Sequence, residues 1–118
     1  MTDSEITVIL SDRFLKDVKQ LLKKYRHVRE DVQGLITELE SGNVPGDQVV
    51  GTHYPVYKAR IKNRDVSKGK SGGYRVIYYI KTSTRIYLVT LYSKSHQANI
   101  KPEVINQIIQ DLGLPSAE

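Results

Sequence analysis

Cysteine is absent from the 118 residues. Its absence excludes a disulfide-stapled scaffold, a thiol nucleophile and cysteine-ligated zinc, and it fits a reducing cytoplasm. Long apolar runs are lacking as well. The longest, Val76 to Ile80 and Ile86 to Val89, are far too short to cross a bilayer, so no membrane partner is expected. Met1 to Glu5 carry acids and no basic stretch, and no secretory signal is expected there. The three histidines, His27, His53 and His96, fall on different expected elements with no pair at metal-ligand spacing. A metal site, a Ser-His-Asp set and a bound cofactor are therefore not expected. The run Gly69-Lys70-Ser71-Gly72 has glycines and a lysine but neither the spacing nor the strand-to-helix context of a phosphate loop, which excludes nucleotide hydrolysis.

Acidic residues are scarce in one half only. Residues 1–57 hold 7 Lys/Arg against 9 Asp/Glu, whereas residues 58–118 hold 11 against 4. Within residues 58–75 there are 7 basic residues and one acid, Asp65. So local a positive field points to a polyanion, and nucleic acid is the usual one; a merely solubilising surface is the alternative. The length suits one domain spanning 1–118 with its own core.

Ile6, Val8 and Leu10 alternate, which predicts a strand over Glu5–Leu10. Ser11 and Asp12 then offer N-caps. Phe14, Val18, Leu21, Leu22 and Tyr25 form the stripe of one helix, and Val28, Val32, Leu35, Ile36 and Leu39 that of a second. Gly42 suits a left-handed cap, with Pro45 soon after. A turn near Arg26 and His27 makes the pair an antiparallel hairpin, and both of His27 and His53 read as exposed loop residues. Gly46 to Pro55 reads as a loop. Strands follow from Tyr57 to Lys62, Tyr74 to Lys81 and Arg85 to Ser93, and Pro102 opens a last helix with the stripe Ile105, Ile108, Ile109 and Leu112. The order β-α-α-β-β-β-α predicts an α+β fold: a four-stranded, all-antiparallel sheet with the helices on one face and the other face wet.

Lys58, Arg60 and Lys62 stand at i, i+2 and i+4 of a strand and share a face, with Ala59 and Ile61 on the other. Three like charges in a row repel unless an anion neutralises them; lysines blunting a sheet edge are the plainer reading. Arg75 interrupts a hydrophobic strand and is expected on the wet face beside Lys58 and Arg60. Lys94 and His96 close the last strand. Most tyrosines read as sheet residues; Tyr92, near Lys94, is kept as a base-stacking candidate. Lys62, Lys68 and Lys70 are the expected phosphate contacts around this site.

Taken together, Tyr57-Lys58-Ala59-Arg60, then Gly72-Gly73-Tyr74-Arg75-Val76-Ile77-Tyr78-Tyr79, then Tyr92-Ser93-Lys94, resemble the RelE/HigB toxins of bacterial type II toxin–antitoxin modules, over essentially the whole chain. The Gly69-Lys70-Ser71-Gly72-Gly73 lead is more like the HigB branch. The resemblance implies a RelE-like fold, a cytoplasmic, ribosome-dependent messenger RNA endonuclease, and a cognate antitoxin as partner beside the ribosome and the message. Operator DNA would be bound only as a complex with the antitoxin. By position, Lys58, Arg60, Arg75 and Lys94 fall where such toxins keep catalytic or phosphate-binding cations. Ile100 stands near the place of a tyrosine found in RelE, which leaves His96 as the nearest titratable group. The chemistry suits these residues. The 2′-OH of RNA can attack the adjacent phosphate without a metal, given groups that hold the phosphate, take one proton and supply another. Arg60 and Arg75 have the planar forks for the phosphate. A lysine crowded by cations gives up its proton more readily, which makes Lys58 a candidate base, with Lys94 or His96 as the acid. Two other classes fit less well: a gyrase-inhibiting toxin of the ParE type, which shares the fold but lacks these cations, and a nucleic-acid-binding module without chemistry.

Overall fold

Where the alternation of the first strand gives way to a helical period, Ser11 turns the chain. In the computed structural model, which describes residues 5–66 and 72–112, its hydroxyl accepts the Phe14 amide at 3.0 Å and donates to the Val89 carbonyl at 2.9 Å. One small side chain thus caps a helix and ties it to the sheet. The elements are β1 (Thr7–Leu10), α1 (Asp12–Leu22), α2 (Val28–Glu40), β2 (Asp47–Gln48), β3 (Val56–Ile61), β4 (Tyr74–Thr82), β5 (Arg85–Ser93) and α3 (Pro102–Gln110). The α+β class and the helical hairpin follow the sequence pattern, and Gly42 sits at φ +99° just past α2.

The sheet departs from expectation in count and direction. It has five strands in the order β1-β5-β4-β3-β2, and it is mixed: β1 runs parallel to β5, while the other pairs are antiparallel. The cause lies in the segment read as a loop. Asp47 and Gln48 pair with Lys58 and Tyr57, so the chain reverses once more after α2, and β3 runs in the same direction as β1. Gly46 makes this approach possible. It adopts φ +92°, and a Cβ there would lie 2.1 Å from the Lys58 carbonyl oxygen. Tyr78, fully buried, donates its hydroxyl to the Pro45 carbonyl and fixes the turn from below.

The helices also occupy both faces. Phe14, Val18, Val28, Val32, Leu35 and Leu39 of the hairpin pack on one face against Ala59, Tyr74, Val76, Tyr78, Ile86, Leu88 and Leu91. The face expected to be wet is partly covered by α3, whose Ile105, Ile108 and Ile109 pack with Val56, Ile77, Val89 and Tyr92. The stripe of α3 is apolar enough to need a surface, and the hairpin already fills the first one. A register shift links the two cores: Ile77 pairs with Thr90 and Tyr78 with Leu88, leaving Val89 as the extra residue of a bulge. Asp17 of α1 accepts from the Thr90 hydroxyl and the Leu91 amide there. The bulge lets Leu88 and Leu91, three residues apart, reach the same core, and it sets Tyr92 on the α3 side.

Candidate nucleic-acid interface

The part of the sheet beside α3 that stays open is built from β3. Its alternation sends Ala59 into the hairpin core and leaves Lys58 half-buried and Arg60 exposed on the other face. The β3–β4 register sets Arg60 directly opposite Arg75, and the β4–β5 register sets Arg75 opposite Tyr92. One row across three strands therefore reads Arg60, Arg75, Tyr92. Directly opposed residues on one face have Cβ atoms about 4.5–5.5 Å apart, close enough for two guanidiniums to repel strongly. Burial, and then the Arg60 charge, draw the Arg75 guanidinium below its usual range.

Arg75 is more deeply placed than a wet-face residue. It is 6% exposed, its Nη1 donates to the Tyr74 carbonyl at 3.3 Å, and its neighbour in register is Arg60, with Lys58 one row further. On β5, Tyr92 stands directly opposite Arg75. Tyr92 is likewise buried, at 6%, among Ile105, Ile108 and Ile109, so its ring is not an open platform for a base. Its hydroxyl has no hydrogen-bond partner among the described residues; burial raises its pKa, and the Arg75 charge beside it opposes that rise.

The segment after β5 brings the remaining candidates in. The Lys94 amide donates to the Gly73 carbonyl at 2.9 Å, and its Nζ donates to the Ala98 carbonyl at 2.9 Å. Lys58 Nζ reaches Asn99 Oδ1 at 3.4 Å. Lys94 and Lys58 thus hold adjacent residues of one loop. His96 turns the other way, with its Nε2 at 3.3 Å from Lys24 Nζ just past α1. Lys62 lies beyond the end of β3, in a groove of about 530 Å³ between Arg60, Ile61 and Arg64 on one side and Glu30, Asp31 and Glu38 of α2 on the other. Lys68 and Lys70 lie outside the described residues.

Part of the basic segment is already engaged within the chain. Arg64 donates its amide and Nε to Asp31 at 3.0 and 2.8 Å. The backbone amide of His27 donates to Asp65 Oδ2 at 2.9 Å, and its Nδ1 lies 2.7 Å from Oδ1. His27 is accordingly a half-buried partner of Asp65 and not a free loop residue; His53 is exposed, with its amide bonded to Asn106 Oδ1 at 2.9 Å. Sequence reasoning missed Asp47 and Asn99. Both border Lys58, but Asp47 belongs to a two-residue strand without a hydrophobic pattern, and Asn99 to an irregular loop. Among the described residues no group of three or more His, Asp or Glu side chains gathers to hold a metal ion, and no helix is long and apolar enough to cross a membrane.

Two opposed arginines with a lysine one row away, on a sheet between a helical hairpin and a C-terminal helix, bear comparison with known families. Residues 13–111 match the model of the RelE toxin of the RelE/RelB toxin–antitoxin system. This chain belongs to the RelE toxin family. The match spans every element except β1, including the whole cation row. No curated protein sequence matches the chain. As a RelE family member it is the toxin component of a toxin–antitoxin system, and the family implies a cognate antitoxin as its partner.

Proposed function

We propose that this toxin is an endoribonuclease that cuts messenger RNA on the ribosome, in the cytoplasm, and stops translation. The observation that supports this most is the register that sets Arg60 opposite Arg75 with Lys58 one row away. Like charges placed face to face cost stability, and a bound phosphate turns that cost into affinity. In the proposed reaction the 2′-oxygen attacks the adjacent phosphorus as its proton passes to Lys58. The P–O5′ bond breaks, and the leaving oxygen takes a proton from Lys94, the cation held in the same loop as the Lys58 partner Asn99. His96, turned toward Lys24, is the second candidate donor. Arg60 and Arg75 carry the extra charge of the pentavalent phosphate. The products are a 2′,3′-cyclic phosphate and a 5′-hydroxyl, with no metal in the reaction. Lysines and arginines alone would work slowly on free RNA, so positioning of the message by the ribosome matters.

The test is a single-turnover assay on programmed ribosomes with cut sites mapped by primer extension and ends identified chemically. Cuts that need the ribosome and persist when EDTA is added to the preassembled complex are expected. A 5′-phosphate product with a strict metal requirement would overturn the mechanism, and gyrase inhibition without any cut in the message would overturn the function.

A further inference from the structure

Beside the cation row the sheet and α3 enclose a hollow of about 300 Å³ whose walls have a mixed chemistry. Val49, Val50, Ile100 and Pro102 are apolar, Gln48 and Asn99 carry amides, and Asp47 sits with Lys58 and Arg60. Among the described residues Asp47 is the one carboxylate of this hollow. It also lines the adjoining hollow of about 240 Å³ with Lys58 and Arg60. We infer that this hollow is a nucleobase site next to the scissile phosphate, and that Asp47 makes it select guanine.

Several independent features hold Asp47 in place. It pairs with Lys58 in register, so its side chain shares the face of that lysine. Gly46, at positive φ, is the residue that lets the backbone come so close to β3, and the Tyr78 hydroxyl anchors Pro45 just before it. On the far wall Asn99 Oδ1 accepts from the Ile100 amide at 2.9 Å and from Lys58 Nζ at 3.4 Å, which orients the amide nitrogen away from these partners. The hairpin carrying Val49 and Val50 is clipped to α3 through the His53 amide and Asn106 Oδ1.

This arrangement has the parts a nucleotide needs. Cations meet the phosphate, and apolar side chains flank a base. A carboxylate, which only accepts, meets the edge of the base. Guanine is the base whose pairing edge offers two adjacent N–H donors, N1–H and N2–H, a bidentate match to a carboxylate. Adenine offers the N6 amino group, cytosine the N4 amino group and uracil N3–H, one donor each beside an acceptor that would face the second carboxylate oxygen of Asp47 and leave it unpaired. A good bidentate pair discriminates by about 5- to 150-fold. The inference rests on the message-cutting reading for its substrate, but the preference for guanine is measurable without any cut.

Two experiments decide it. In the first, messages carry guanine, inosine or adenine on either side of the cut, and single-turnover rates are measured on ribosomes. Guanine at one of the two positions is expected to be cut at least 10-fold faster than adenine. Inosine, which lacks the N2 amino group, should lose most of that advantage. In Asp47→Asn the guanine-to-adenine ratio should fall toward one. In the second, short 2′-O-methyl oligonucleotides that cannot be cut are titrated against the free protein, with the same bases and the same variant. A protein that cuts messages with a base preference unaltered in Asp47→Asn overturns this inference and leaves the function standing. A protein that cuts nothing yet binds guanine oligonucleotides through Asp47 overturns the function and leaves the base site standing. Equal binding of all bases by the wild type, with no preference in cutting, overturns the site outright.

Discussion

Arg75 is the residue at which stability and function pull apart. It is buried, and across the strand pair it faces Arg60. Burial and the Arg60 charge both work against the charged form of Arg75. Arg75→Met is expected to cut on ribosomes about 10²–10³ more slowly, the usual loss when a preorganised charge donor is removed. Arg75→Lys keeps the charge but not the planar fork, and it should also be slow. A variant that melts much earlier yet cuts at the normal rate would show Arg75 to be a structural residue. Tyr78 makes the opposite case. It is 0% exposed, and among the described residues its hydroxyl bonds to the Pro45 carbonyl. Tyr78→Phe should lose about 1 kcal/mol in denaturant unfolding. Because that bond fixes the turn into β2, the same change should weaken any guanine preference.

At the scale of elements, β2 is the weakest and the most consequential. It has two residues, both exposed, and a glycine before them that a side chain cannot replace without meeting the Lys58 carbonyl. Gly46→Ala is expected to cost more than about 1 kcal/mol, since the residue would carry a Cβ at positive φ against backbone. Hydrogen exchange should show β2 open and β3 newly exposed at Lys58. Retained protection at both would mean that the approach tolerates a methyl group. The same element marks the limit of what the sequence discloses. The helices, β4 and β5 are legible because each repeats an apolar period long enough to identify: β5 is expected and found at Arg85–Ser93. Strand β2 has no period at all, and the reversal it adds decides whether β1 and β3 run parallel. The placement of α3 was hidden for another reason. Its stripe shows that it is amphipathic, but not which face of the sheet remains free. The cations of the site follow from period-two spacing on β3, whereas the burial of Tyr92 depends on α3 and on the Val89 bulge.

A second link between elements is sensitive to pH. The segment after β3 is held to the start of α2 by Asp31 with Arg64 and by His27 with Asp65. The hydrogen bonds from His27, side chain first and then backbone, hold the Asp65 carboxyl below its ordinary value. A carboxylate with a lowered folded pKa stabilises the fold above its unfolded value, near pH 4, and that contribution is lost as the pH falls through the folded value. Asp65→Asn should therefore flatten the fall in melting temperature between about pH 5 and pH 2. A wild type and variant whose melting curves run parallel over that range would show that the pair does not couple to folding.

Across the whole molecule, charge is divided between binding inward and binding outward. Residues 58–75 carry seven cations, but Arg64 is held by Asp31, and Lys62 faces the acids of α2 across their groove. Lys58 and Arg60 line the hollows on the other side, where among the described residues Asp47 is the carboxylate that borders them, and Arg60 also reaches the rim of the α2 groove. If RNA is held through its phosphates, each neutralised phosphate adds about −0.7 to the slope of log affinity against log salt for a single strand. Arg60→Ala should flatten that slope by about one such step, and Arg64→Ala by much less, because its charge is already engaged with Asp31. The antitoxin that the family implies faces the same division. A partner segment that silences the toxin by masking the cations must bring acids to the Lys58 and Arg60 side, since the α2 side already has its own. Salt should then weaken the antitoxin complex, and Arg60→Ala should reduce that salt dependence, whereas Arg64→Ala should leave it nearly intact. Equal effects of the two variants, or hydrogen-exchange protection by the antitoxin on α1 and α2 alone, would mean that inhibition works by bulk at the ribosome and not by covering the charge.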